Sequence, residues 1–164
     1  MDCPIGLDNN KKYTITGNDK NILTKIEKDG WIGILCENEL EKYNEHRWKI
    51  KILKTQNNYI RVGVVPKDYD INTSDNYSCG WCFYNYNCYL YSGPPLNYNK
   101  GSNLNQIKNE VEIVINMTKD TGALKFIIDN EDKGCSYTDI PLDKHLVPVV
   151  FLYSANDSVE VIKY

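Results

Sequence analysis

The hydrophobic and polar positions of this chain fall into a succession of short stretches with a period of two. The clearest covers residues 110–134, EVEIVINMTKDTGALKFIIDNEDKG. Val111, Ile113, Ile115 and Met117 alternate with Glu110, Glu112, Val114 and Asn116. Successive side chains of a strand point to opposite faces, so this spacing predicts a strand with one buried face. Lys119-Asp120-Thr121-Gly122 interrupts it with turn chemistry. Leu124, Phe126 and Ile128 then resume the alternation against Lys125, Ile127 and Asp129, and Asp129 to Gly134 predicts the next turn.

The rest of the chain reads in the same way. Tyr13 and Ile15 mark a short strand over Lys12 to Thr16, closed by Gly17-Asn18-Asp19. Ile22, Leu23 and Ile26 fit a helical face, but the segment is short and rich in β-branched residues, which favours a strand. Trp31 to Cys36 is apolar on both faces and predicts an inner strand covered on both sides. Glu37 to His46 is charged, a loop or a single helical turn. Trp48, Ile50 and Ile52 then alternate with Arg47, Lys49 and Lys51. After the turn at Gln56-Asn57-Asn58, Ile60, Val62 and Val64 form a returning strand, with Gly63 marking a close backbone approach and Pro66 ending the ladder. Lys67 to Ser78 reads as a long exposed loop, Gly80 to Tyr91 as a hairpin turning at Asn85-Tyr86-Asn87, and Gly93 to Asn105 as a second long loop. A polar connection over Cys135 to Lys144 leads to an apolar strand, Val147 to Tyr153, a turn over Ser154 to Ser158, and a closing strand, Val159 to Tyr164. Short strands separated by turn clusters predict an all-β fold, a two-sheet antiparallel β-sandwich. Residues 1–11 read as an extended lead-in and 12–164 as one domain, with Trp31, Trp48, Trp81 and Phe126 assigned to the core.

Composition narrows the function classes. The net charge of −3 disfavours nucleic acid or an anionic membrane as the main partner, because both select basic surfaces. The chain has no apolar run of the ~20 residues a spanning helix needs, and no apolar stretch follows Met1 as a secretion signal would require, so the expected setting is cytoplasmic. Asn-x-Ser/Thr sequences begin at Asn72, Asn76, Asn116 and Asn156; an Asn-rich chain produces them by chance. Thirteen tyrosines stand beside three Phe and three Trp. Codon bias in an AT-rich genome accounts for such a count, and tyrosines placed in loops also make rigid contact surfaces with a hydrogen-bonding tip.

Candidate chemistry adds little. Cys79-Gly80-Trp81-Cys82 has CxxC spacing, but no second pair completes a zinc set, and a hairpin follows where a redox dithiol needs a helix; six ordinary reduced cysteines are the expectation. His46 and His145 lie far apart with no nucleophile motif beside them. Asp129-Asn130-Glu131-Asp132 resembles a calcium loop in composition, but Lys133 takes a ligand position and Ile140 stands where the closing Glu belongs. No phosphate-cradling glycine motif is present. The expectation is a non-enzyme with no catalytic residue, no metal and no cofactor.

The strands together resemble a SPRY domain, the β-sandwich interaction module of tripartite-motif ubiquitin ligases, butyrophilins, SOCS-box adaptors and Ran-binding-protein-M-like proteins. The resemblance is carried by Trp48-Lys49-Ile50, Val62-Gly63-Val64, Cys79-Gly80-Trp81, Leu90-Tyr91-Ser92-Gly93, the run from Ile115 to Gly134, and Leu146 to Val150. It implies a concanavalin-like jelly-roll of two antiparallel sheets that binds a peptide or folded protein through edge loops, as the recognition domain of a larger protein. Where the SOCS-box group has Val-Trp-Gly, this chain has Tyr153-Ser154-Ala155, so that group's Asn-rich peptide is not expected as a ligand. Tyr69, Asp70, Tyr77, Tyr98, Tyr153 and Asn156 are the candidate contact residues, chosen for loop position with aromatic or hydrogen-bonding character. A lectin-like or small-ligand sandwich is the alternative, since tyrosine and amide side chains also suit sugars.

Overall fold

The computed structural model describes residues 12–69, 80–92 and 98–163. Thirteen strands follow in order: β1 (Tyr13–Thr16), β2 (Ile22–Lys25), β3 (Ile32–Leu35), β4 (Glu45–Lys54), β5 (Ile60–Pro66), β6 (Trp81–Tyr84), β7 (Tyr89–Ser92), β8 (Tyr98–Gly101), β9 (Glu110–Asn116), β10 (Thr121–Ile128), β11 (Cys135–Pro141), β12 (Leu146–Leu152) and β13 (Ser158–Lys163). They form a seven-stranded sheet of order β1-β2-β13-β4-β9-β10-β11 and a six-stranded sheet of order β3-β12-β5-β6-β7-β8. All pairings are antiparallel, as expected for the sandwich.

Alternation explains why the sheets stack. Trp48, Ile50, Val111, Ile113, Ile115, Leu124, Phe126, Val159 and Val161 point inward from the large sheet, and Ile34, Ile60, Val62, Val64, Phe83, Leu90, Val150 and Leu152 meet them from the small one. Phe83 and Phe126 touch across the layer, with ring centroids 5.7 Å apart. Tyr137 of β11 reaches across to bring its hydroxyl 3.1 Å from the Cys82 carbonyl and 2.5 Å from that of Tyr91, so its buried O–H is satisfied by the opposite sheet.

The outer faces differ. On the large sheet, Arg47 pairs with Glu112 at 3.2 Å and Lys49 with Glu110 at 3.4 Å, the ladder of a solvated surface. On the small sheet, Val65, Cys82, Tyr91, Val147, Val149 and Phe151 form a second buried apolar cluster. The long alternating hairpin is β9–β10, and its turn to β11 is tight: Asp129 and Asn130 both take positive φ, +49° and +68°, while Ile128 and Glu131 exchange backbone hydrogen bonds. Asp129 also accepts the N–H groups of Lys108, Asn109 and Glu110 at 2.8–3.0 Å. Burial acts to raise its carboxyl pKa, but those three donors outweigh it and the net shift is downward. The acidic turn therefore pins the chain that enters β9.

Several expectations are corrected. Trp31–Cys36 does not form an inner strand; among the described residues β3 is an edge strand whose one partner is β12, yet it is buried on both faces. Part of the second long loop is strand β8, and most of the expected polar connection is strand β11. Trp31 is half-buried on the outer face of the small sheet, outside the inter-sheet core that holds Trp48, Trp81 and Phe126. Cys82, Cys88 and Cys135 are reduced, but Cys36 is disulfide-bonded, so the all-reduced reading fails there. Among the described residues no cluster of three His, Cys, Asp or Glu side chains could hold a metal, and no helix is long and apolar enough to cross a membrane.

Gly63 is required by a close approach. A Cβ there would lie 2.0 Å from the Trp81 carbonyl oxygen, and a backbone atom cannot swing aside. Gly63→Ala is expected to cost about 3 kcal/mol of stability, read as a lower urea midpoint with an unchanged slope.

Candidate partner-binding face

The β4–β5, β6–β7 and β12–β13 connections emerge at one end of the small sheet. Registers Leu152↔Ile32 and Leu152↔Ile60 set Tyr153 beside Trp31 and Tyr59, and Arg61↔Tyr84 sets Tyr59 beside Tyr86 two residues further on. Trp31, Tyr153, Tyr59 and Tyr86 thereby make an aromatic row across four strands. Neighbouring centroids lie 5.2, 5.3 and 5.0 Å apart, with interplanar angles of 65°, 85° and 72°. Each contact is edge-to-face, the arrangement the ring quadrupoles favour. Tyr86 is 54% exposed, and the other three are half-buried.

One step into the sheet lies Arg61, only 4% exposed. Its guanidinium sits 4.3 Å from the Trp31 ring centroid, 4.7 Å from that of Tyr84 and 4.9 Å from that of Tyr91. A planar cation against three ring faces is a favourable desolvated contact and fixes the floor on which the row stands. Burial pushes the Tyr84 phenol up to about 12, with Arg61 opposing and the neighbouring phenols of Tyr59, Tyr91 and Tyr86 adding to the rise.

Two polar hubs hold the loops that carry the row. Asp157, 1% exposed, accepts Gln56 N–H at 2.9 Å and Ser154 N–H at 3.3 Å, and Asp29 accepts Ala155 N–H at 3.1 Å. Gly30 N–H donates to the Tyr153 carbonyl at 3.0 Å, and Asn156 N–H to that of Lys25 at 2.9 Å. Burial raises the Asp157 carboxyl pKa against the pull of the Gln56 and Ser154 N–H groups. Lys25, also 1% exposed, donates from Nζ to the Glu27 and Lys28 carbonyls at 3.1 and 2.5 Å. Burial lowers its pKa, with Glu27, Asp29 and Asp157 opposing. Under Tyr86, the fully buried Asn85 accepts Ile107 N–H at 2.7 Å and donates to Asn58 Oδ1 at 3.2 Å. Tyr153 and Tyr86 are therefore presented on fixed backbone.

The expected contact residues separate. Tyr153 stands in the row, and Asn156 is exposed on the same loop in a left-handed conformation, φ +68°. Tyr69 comes from the other end of the sandwich but folds onto the same outer face, its ring 6.4 Å from that of Phe151. Asp70 and Tyr77 lie outside the described residues. Tyr98 contributes backbone to β8, far along the sheet, opposite Ser92; its side chain lies outside what is described. Sequence reasoning passed over Tyr59, Arg61, Tyr84 and Tyr86. Their signal was an i, i+2 repeat of aromatic or cationic residues on strands whose other face is aliphatic. Stacking faces, hydroxyl tips and a rigid floor suit recognition of a ligand surface.

Arg61→Ala should destabilise the fold by about 2 kcal/mol or more, since it removes a desolvated cation from three rings; chemical denaturation with near-UV circular dichroism reads both the loss and the loosened tyrosines. Tyr84 stays protonated in the fold after an unfolded tyrosine, near pH 10, has ionised. Stability should accordingly fall as the pH rises from about 10 to about 12, with one phenol ionising late in absorbance at 295 nm.

The SPRY domain family model matches the chain over residues 45–164. Among solved structures, the SPRY domain of human HERC1 is 19% identical, each chain covering 93% of the other, with a TM-score of 0.72. Another human SPRY domain is 18% identical, over 93% of this chain and 95% of that one, with a TM-score of 0.72. The PSpry domain of TRIM65 is 12% identical, over 94% and 85%, with a TM-score of 0.67. No curated protein sequence gives a significant match. At these identities the solved structures establish the shared sandwich; the family model, spanning well over half of the sequence, places the chain in the SPRY domain family, whose members are generally protein-interaction modules.

Proposed function

We propose that this chain is a non-catalytic protein-binding module whose partner, a peptide or the surface of a folded protein, docks on the outer face of the small sheet at the Trp31–Tyr153–Tyr59–Tyr86 row. The observation that carries the reading is that row itself: four aromatic rings, each in edge-to-face contact with the next, with Trp31 at one end packed against the buried guanidinium of Arg61. Tyrosine and tryptophan dominate binding hot spots because they bring large contact area at small entropic cost. Loops already fixed by Asp157 and Asn85 lower the ordering cost further. The same reading takes 12–164 as one unit serving as the recognition domain of a larger protein in an intracellular setting. The Cys36 disulfide is the one observation that favours an oxidising compartment instead.

Affinity capture with mass spectrometry tests the face. A Tyr86→Ala, Tyr153→Ala double variant should lose its partner by about tenfold or more, while Lys49→Ala on the charged outer face of the large sheet should retain it. Equal capture by all three proteins rejects the site. Saturable binding on a glycan array, with no protein captured, moves the reading to the lectin-like alternative.

A further inference from the structure

Cys36, the residue after β3, is disulfide-bonded. The chain has six cysteines, and Cys82, Cys88 and Cys135 are reduced, which leaves Cys3 and Cys79 as partners. The strand registers separate the two. Cys36 N–H donates to the Pro148 carbonyl, Pro148 stands opposite Val64, and Val64 opposite Trp81. Three strand spacings of ~4.8 Å therefore set Cys36 roughly 14 Å from β6. Gly80 lies on that far side of β5, where an added Cβ would strike the Val64 carbonyl and Val65. Cys79 is one Cα step of ~3.8 Å from Gly80, so it comes no nearer to Cys36 than about 10 Å, beyond the ~7 Å over which a disulfide can close. Cys3 remains.

Cys36 also borders a gap in the sandwich. Ile34 and Val150 of the small sheet, with Leu23, Trp48 and Val161 of the large one, line an apolar opening between the sheets beside it. The N-terminal segment joins the fold near this opening. Leu23 pairs with Ile15, and Lys12, where the segment ends, accepts the Ile26 N–H at 2.9 Å. From Lys12 back to Cys3 the backbone reaches up to ~30 Å, ample to meet Cys36 across a layer of ~10 Å. Pro4, Ile5 and Leu7 follow Cys3, apolar side chains that match an apolar lining. Among the described residues β3 is also an edge strand, and covering by a loop is one way such an edge is protected.

We infer that Cys36 is bonded to Cys3, and that the bond straps residues 1–11 over this opening, a cover that a dithiol releases. The bond forms by exchange: a small-molecule disulfide takes two electrons and two protons from the pair of thiols and leaves as two thiols. A dithiol reverses the step and is itself oxidised to a disulfide. The opening lies between the sheets and the aromatic row on an outer face, so the two readings stand or fall separately.

Mass spectrometry of the oxidised full chain, alkylated and cut with trypsin without reduction, tests the pairing. Residues 1–11 should be found joined to residues 29–42, with Cys79, Cys82 and Cys88 all alkylated in the peptide 68–100. Alkylated Cys36, or a link from 29–42 to 68–100, overturns it. Hydrogen exchange tests the cover. In Cys3→Ser, which leaves the buried Cys36 in place, and in the dithiol-reduced protein, amides of residues 32–36 should exchange about fivefold or more faster than in the oxidised protein, while β9 and β10 keep their protection. Unchanged exchange over 32–36, or an equal rise in β9 and β10, overturns the cover and leaves the bond as a general staple.

Discussion

The pleat of the six-stranded sheet is the constraint on which the candidate site depends. Ile60, Val62 and Val64 are locked into the inter-sheet core, so Tyr59, Arg61, Gly63 and Val65 have no choice but the other face. The same rule applied to β12 sends Val150 and Leu152 inward and Phe151 outward, with Tyr153 following. A slip of one residue in β5 would place the Arg61 guanidinium in the dry layer, and one in β12 would turn Phe151 inward and Val150 and Leu152 outward. Core packing therefore sets the register of the candidate surface, although no row residue belongs to the main core.

That surface is unusual for a solvated sheet. A fully buried Val65 and Cys82 lie on the face that points away from the core, and Arg61 is buried with them. The face is a second packed layer with aromatic rings at one end, while the opposite surface of the sandwich carries ion pairs. Two carboxylates and an amide, Asp29, Asp157 and Asn85, then spend their hydrogen bonds on loop backbone. Charged acceptors of backbone N–H groups are among the stronger interactions open to a loop, which is why three connections can stand rigid without secondary structure.

Most strands were legible in the sequence, and most plainly those with one dry face and a largely polar opposite face, β4, β9 and β10, where period two is clear. β11 escaped because Tyr137 and Ile140, its inward residues, are three apart; register shifts in its pairing with β10 break the alternation. β8 has four residues, Tyr98–Gly101, with no aliphatic side chain to report a buried face. The family resemblance identified the scaffold, but the candidate site was only partly visible. Tyr153 and Asn156 were found from loop position. Tyr59, Arg61, Tyr84 and Tyr86 were not, because a tyrosine on a strand counts equally well as core, and only pairing shows that four separate segments line up. Trp31 was misassigned for the same reason: an apolar run on both faces does not say which face meets the other sheet.

The two last described strands each lie in the interior of a sheet, β12 between β3 and β5 and β13 between β2 and β4. During synthesis, the β1–β2 hairpin and β3 therefore wait without lateral partners while more than a hundred further residues are made. At roughly 5–20 residues per second this is a delay of about 5 to 20 seconds with apolar edges uncovered. Folding is completed only when residues 146–163 leave the ribosome and both gaps close together. Chaperone demand should then be concentrated before that moment, and a chain interrupted upstream of β12 would be left with two unpaired seams of the kind that invite aggregation.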